Sequence, residues 1–310
     1  MLAISYNVIL PIFLLIGLGF LVQKRVRFDL KTLTALNFWV FVPGFLFTGI
    51  LQSDLTGAEV LRVFSHFALL FIAQFAIVWF LAPLFGAGDR LRRAMTASVL
   101  FYNSGNYGVP AAKLAFGGMG ESLQAIIIMF QNISNFTVGL ALHAGGREGS
   151  NWKKTLTAIF HLPMIYTLIA AWACRLSGLQ LADFPKPLAA SLTWLREGLV
   201  PIALITLGAQ MASLKSHKLG YPLWATMFLR LCLGPVLGFA IVRLLGFQGV
   251  LAQALVVSTS FPTAVNSALL AMEYDNEPDF AASVVFYSTL LSAVTVSAVI
   301  YLAKNYIPVP

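Results

Sequence analysis

Val99-Leu100-Phe101-Tyr102-Asn103-Ser104-Gly105-Asn106-Tyr107-Gly108-Val109-Pro110 is an apolar run interrupted by two glycines, two asparagines, a serine and a proline. The whole run, 94–117, meets the length of about 20 mostly apolar residues that a bilayer-spanning helix needs. Proline removes a backbone donor and clashes with the preceding turn, and glycine lowers the cost of non-helical angles. The stretch therefore reads as a membrane helix broken near its middle. Ser258-Thr259-Ser260-Phe261-Pro262-Thr263-Ala264-Val265-Asn266, inside the apolar run 249–272, has the same character. Freed backbone groups are tolerable at membrane depth only where they line a cavity or are buried in protein.

Working outward, 59% of the 310 residues are hydrophobic and 10% charged, with a mean hydropathy of +0.83. Ordinary soluble domains are about 45–50% apolar and about 25% charged. So little polar surface cannot cover a water-facing globule, which excludes a cytosolic enzyme, a nucleic-acid binder and a disordered tail. The net charge of +8 fits Lys and Arg gathered in cytoplasmic loops. Ten apolar runs are expected as spans: 5–23, 32–52, 63–85, 94–117, 121–142, 155–178, 188–211, 221–245, 249–272 and 279–303. The connectors are short, and no period-2 alternation points to a β-barrel. One all-α polytopic membrane domain is the expectation. The odd-numbered connections carry twelve Lys and Arg, among them Lys24, Arg25, Arg90, Arg92, Arg93 and Lys154, and the opposite face seven. That bias places both termini outside. The basic residues Lys24, Arg25 and Arg27 follow the first apolar run instead of preceding it, so it reads as an uncleaved span, not a signal peptide. Cys174 and Cys232 fall in apolar runs and read as small buried hydrophobes. The histidines are scattered, with no metal-ligand spacing, so no metal or cofactor is expected.

The ten runs divide into five plus five. Pro43 and Pro201 are offset by 158 residues, Asn103–Asn106 and Ser260–Thr263 by 157, and Glu121–Ile127 and Pro278–Val284 again by 157, while Pro11 and Pro163 differ by 152. Such offsets are what a diverged duplication leaves. An odd number of spans per half inverts the second half, giving repeats at 1–142 and 155–310, an organisation common in secondary transporters. Breaks at corresponding places in both halves then point to a transport site.

Helix N-termini at a break present unpaired N–H groups and a positive dipole end. Asn103, Ser104, Gly105, Asn106, Thr263 and Asn266 add neutral donors and acceptors, and Tyr107 adds a ring with a hydroxyl. Gly108, Pro110, Ser260 and Pro262 are expected to form the breaks themselves. The set suits a carboxylate and, having no fixed acid, disfavours an organic cation. In the fifth run Gln131, Asn132 and Asn135 read either as site residues or as interhelical hydrogen-bond glue, with Gln131 and Asn135 on one face. Arg230 lies near mid-membrane without an acidic partner in the spans. It has three open readings: binding an anionic substrate, capping the carbonyls of the broken helices, or snorkelling to the inner face. Arg196 and Glu197 mark the outer entry of the seventh run.

Asn103–Pro110, Gln131–Asn135 and Pro262–Asn266 together resemble the auxin efflux carrier family of bacteria, relatives of the plant PIN proteins, as do Ala271–Tyr274, Pro278-Asp279, Thr289–Ser292 and Arg230 five residues before Pro235. The resemblance covers nearly the whole chain. It implies ten spans in two inverted repeats, with the fourth and ninth broken and crossing at their prolines, as in bile acid/sodium symporters. It also implies a scaffold (1–52 and 155–211) and a mobile crossover part (63–142 and 221–303). Plant members are dimers that export an indole carboxylate, and bacterial members carry malate, malonate or related acids. A homodimer in the cell inner membrane is therefore implied. The long cytoplasmic loop of many plant members is absent, since about a dozen residues join the halves.

Three functions compete for these residues. The first is a secondary transporter of small organic anions working by elevator-like alternating access. The second is a sodium- or proton-coupled symporter of the related fold, for which no break carries an Asp or Glu. The third, a membrane enzyme or receptor, lacks a nucleophile–base pair, a metal set and a soluble sensing domain.

Overall fold

The computed structural model describes residues 1–145, 162–214 and 220–309. His161, His217, several of the basic residues of the odd-numbered connections (Arg147, Lys153, Lys154, Lys215, Lys218) and the start of the sixth apolar run lie outside the described residues. The described chain is helical throughout. We number the helices α1 (Leu2–Val26), α2 (Leu30–Leu51), α3 (Gly57–Leu81, extended by a 3-10 turn to Phe85), α4 (Asp89–Leu100), α5 (104–116), α6 (118–144), α7 (Pro163–Leu176), α8 (Lys186–Ser213), α9 (Tyr221–Leu244), α10 (Gly249–Ser258), α11 (Val265–Glu273) and α12 (Pro278–Tyr306). Seven helical stretches are long and apolar enough to cross a membrane, with α5 and α6 forming one of them. The apolar helices α7 and α10 are shorter.

Local chemistry sets the boundaries. Asp29 opens α2 by accepting from the amides of Lys31 (3.1 Å) and Thr32 (3.3 Å). Thr56 and Glu59 open α3 with a reciprocal capping box. Gly117 separates α5 from α6 at φ 61° and ψ −141°, a region essentially reserved for glycine.

The helices pack in two neighbourhoods. α8 lies along α1, and α2 packs on both α7 and α8. The α1–α8 approach depends on glycine: a Cβ on Gly19 would strike the backbone of Ile205, and one on Gly208 the carbonyl of Ile16. In the second neighbourhood α3 contacts α4 and α9, α10 contacts the α5–α6 pair, α9 and α12, and α11 packs on α12. Where the two meet, Val42, Phe45, Leu46, Val109, Ala125, Ile128, Leu199 and Ala203 form one dry apolar cluster. Cys232 departs from the expectation of burial: it is exposed on α9, where acyl chains accept a thiol as readily as a core does.

The two breaks lie against each other. Tyr102 and Thr263 form an isolated antiparallel bridge. The Asn103 amide donates to the Pro262 carbonyl and the Ala264 amide to the Phe101 carbonyl, both at 2.8 Å.

Candidate functional site

A helix that stops inside a protein leaves four carbonyls without intrahelical partners. At the end of α4 these are Ser98, Val99, Leu100 and Phe101, and each has its own donor. The Thr263 hydroxyl donates to Ser98 O at 2.7 Å, Arg230 to Val99 O at 2.6 Å, the Gln131 amide to Leu100 O at 3.4 Å and the Ala264 amide to Phe101 O at 2.8 Å. Arg230 also donates to Thr259 O at the end of α10. One guanidinium, fully buried and lying over the Tyr102 ring, thus joins the carbonyl ends of both broken helices. Its charge faces two negative dipole ends, which is what makes a buried cation tolerable there.

The positive ends point elsewhere. α5 starts at Ser104, where the Asn103 side chain accepts from the Asn106 amide at 3.1 Å, and α11 starts at Val265. Residues at both starts (Asn103, Ser104, Gly105 and Asn106; Ala264, Val265 and Asn266) line one cavity of about 90 Å³. Gln131, Asn132 and Asn135 of α6 line it as well. Tyr107, Thr263 and Arg230 do not. Tyr107 is buried against Phe261, while Thr263 and Arg230 are engaged at the carbonyl ends. Gly108 and Pro110 continue α5 behind the cavity. The Ser260 hydroxyl donates back to Val257 O at 2.6 Å, and Pro262 accepts from Asn103.

The fourth wall comes from helices that sequence reading did not single out: Thr34, Asn37, Phe38 and Val42 of α2, with Thr206 and Gln210 of α8. Asn37 donates to the Asn106 side chain at 2.8 Å and Gln210 to the Thr34 hydroxyl at 3.1 Å. The local signal is a π-turn. Asn37, Ser104–Gly108, Asn135 and Arg230 all sit on five-residue π segments, which re-aim side chains and recur at functional sites. An isolated Asn in an apolar run carries no such mark in sequence.

The cavity wall holds amides and hydroxyls, and no Asp, Glu, Lys, Arg or His lines it among the described residues. Asn37 Oδ1, Asn103 Nδ2, Asn135 Oδ1, Thr206 Oγ1 and Gln210 Oε1 are buried there without hydrogen bonds. Each such group costs about 1–3 kcal/mol, so their concentration marks a place built for a polar guest. Rotating an amide by half a turn exchanges its acceptor for donors, so the same wall can serve an anion. Thr34, Phe38, Asn135, Gln210, Val265 and Asn266 also line a second, mostly apolar cavity of about 460 Å³ that reaches Lys31, Ser213 and Glu273. The two cavities share these residues, so the polar one adjoins a vestibule that extends toward one end of the molecule.

A profile of the membrane transport protein family matches residues 150–300. The chain is 27% identical to a Rhizobium meliloti (strain 1021) protein whose name proposes a malonate transporter, over 96% of both chains. It is 28% identical to an uncharacterized transporter of Methanothermobacter thermautotrophicus, over 94% of this chain and 96% of that one. An uncharacterized transporter of Methanocaldococcus jannaschii is 24% identical over 86% and 87%. Over its second half, and along nearly its whole length, the chain is thus similar to membrane transport proteins. With its long apolar helices, it is a multi-pass membrane protein of transporter type. In it, the paired helix breaks and the uncharged cavity between α2, α5, α6, α8 and α11 are the features on which a transport reading must rest.

Proposed function

We propose that this protein is a secondary transporter of small organic anions. The observation that carries the reading is the two-sided charge arrangement at the breaks. Two helix N-termini and a wall of neutral amides face one cavity, and Arg230 neutralises the two opposite helix ends. Positive dipole ends in a low-dielectric site favour an anion without a fixed cation. A cavity of about 90 Å³ is well under the 300–1,000 Å³ of drug-sized sites. It suits the carboxylate end of a small acid, with any apolar body lying in the vestibule. The name of the Rhizobium relative is in keeping with such an acid.

The rest of the reading follows the family. Ten spans in two inverted five-helix repeats, crossing at helices α4–α5 and α10–α11, account for the matching offsets. A scaffold of α1, α2, α7 and α8 and a moving part made of the other helices account for the two packing neighbourhoods. The moving part carries the substrate past the scaffold in an elevator motion. Both termini lie outside the cell inner membrane, so the vestibule opens inward, and the working form is a homodimer. Sodium or proton coupling is the competing reading. Half-helix carbonyl ends are the usual ligands of a coupling sodium, and here Arg230 occupies them, which favours transport without sodium.

Purified protein in proteoliposomes tests this with a panel of labelled acids that includes malonate, malate and indole acetate, with sodium or choline as the cation. At least one acid is expected to accumulate, at the same rate in both salts. Asn106→Ala is expected to slow it about tenfold, the effect of losing one hydrogen bond to a charged group. Failure of every acid, or full-rate transport by Asn106→Ala, overturns the reading.

A further inference from the structure

At the end of the molecule away from the vestibule, Glu121 is buried at the start of α6, 4% exposed. Its carboxylate accepts from Lys113 of α5 at 2.8 Å and from Arg196 of α8. Arg196 also donates to the Gln52 side chain at the end of α2. Beside it, Arg175 of α7 donates to the carbonyls of Ile50 (3.0 Å) and Leu55. At about 1.5 Å of rise per residue, Glu121 is some 15 Å from Gln131 along α6 and Arg196 some 15 Å from Thr206 along α8. Between this network and the cavity lies the dry cluster that includes Phe45, Leu46, Ile128 and Ala203.

Only one ion pair of the network joins the two packing neighbourhoods. Lys113 and Glu121 both belong to the α5–α6 pair, and Arg196, Gln52 and Arg175 to the helices around α2. We propose that the Glu121–Arg196 pair is the latch that holds this face shut while the vestibule face is open. The inference rests on the alternating-access reading and adds the residues that set its balance. The latch is suited to reversible use. When it parts, Glu121 keeps Lys113 and Arg196 keeps Gln52, so neither charge is left buried and unpaired, the outcome that makes breaking an ion pair costly. The dry cluster behind it then separates along the same seam.

The test is thiol accessibility in the full chain, with Cys174 and Cys232 replaced by alanine and Ala203→Cys as reporter. Ala203 is fully buried in the dry layer and is reached only if the latch face opens. A membrane-impermeant maleimide is applied to that face of oriented vesicles, without substrate. Glu121→Gln and Arg196→Gln are each expected to speed labelling about five- to tenfold, the shift that loss of one partly buried ion pair gives. Lys113→Gln and Arg196→Lys, which leave a Glu121 pair across the seam, are expected to label as slowly as the parent and also report that the fold is intact. Unchanged labelling in both neutralised variants, or equal acceleration by Lys113→Gln, overturns the latch. Because no acid is present, absent carboxylate uptake with fast labelling in the neutralised variants sinks the substrate reading alone. Normal uptake with unchanged labelling sinks the latch alone.

Discussion

Four carbonyls at the end of α4 and four different donors define the break more sharply than the proline does. Arg230, Gln131 and the adjacent Thr263 and Ala264 come from three places in the chain, so each is a tertiary constraint on the shape of the break. Arg230 serves two helix ends at once, and its removal strands Val99 O and Thr259 O at a fully buried site. At about 1–3 kcal/mol for each unsatisfied group, Arg230→Met is expected to cost about 2–5 kcal/mol. Thr263→Val strands one carbonyl and is expected to cost about 1–3 kcal/mol. Thermal unfolding in detergent measures both. Asn132→Ala, on the cavity wall, should leave the melting temperature within a degree or two while slowing uptake. An Arg230→Met protein as stable as the parent would remove the capping role and return the residue to the substrate.

At the scale of the element, the breaks were legible because residues that disfavour helix stand out against apolar surroundings. Asn103 to Pro110 and Ser258 to Asn266 could be placed from composition alone. The other half of the cavity was not legible. Asn37, Thr34, Thr206 and Gln210 are single polar residues in α2 and α8, and a lone polar side chain in a membrane helix is equally good as packing glue. What aims Asn37 at Asn106 is a π-turn, which depends on the neighbouring helices as much as on its own residues. Arg230 could be singled out, with capping the carbonyls of the broken helices as one of its three readings, but which carbonyls could not be told, since every residue has one. Gly117 is a further hidden element boundary. Its φ of 61° and ψ of −141° turn α5 into α6, and nothing lies within 4 Å of the place a Cβ would take. Gly117→Ala therefore meets strain without a clash, and a loss of about 1–3 kcal/mol is expected. Gly118→Ala, next to it with equal space and ordinary helical angles, should be near neutral. Equal melting temperatures for the two variants would show that the turn relaxes freely.

For the whole molecule the question is whether the two packing neighbourhoods move as two bodies. Glycine at Gly19 and Gly208 lets α1 and α8 approach until backbone meets backbone, a fit that sliding would destroy, so that seam belongs inside one body. The seam of α2 and α8 against α6 is different: it is made of side chains, apolar in the middle and closed at one end by the Glu121–Arg196 pair. It also offers a direct handle. A Cβ built on Gly49 of α2 lies 3.3 Å from the Cβ of Ala125 on α6, within a few tenths of an ångström of the separation of about 3.5–4.5 Å found in disulfides. Gly49→Cys with Ala125→Cys, in a chain freed of Cys174 and Cys232, should close a disulfide across this seam on mild oxidation. If the two neighbourhoods slide past each other in each cycle, the oxidised protein is expected to lose at least nine-tenths of its uptake rate, since one bond now joins the bodies. Reductant should restore it, and each single cysteine should transport alike with or without oxidant. Full uptake by protein shown to be crosslinked would mean that the seam stays shut during transport, and the moving boundary would then have to lie elsewhere among these helices.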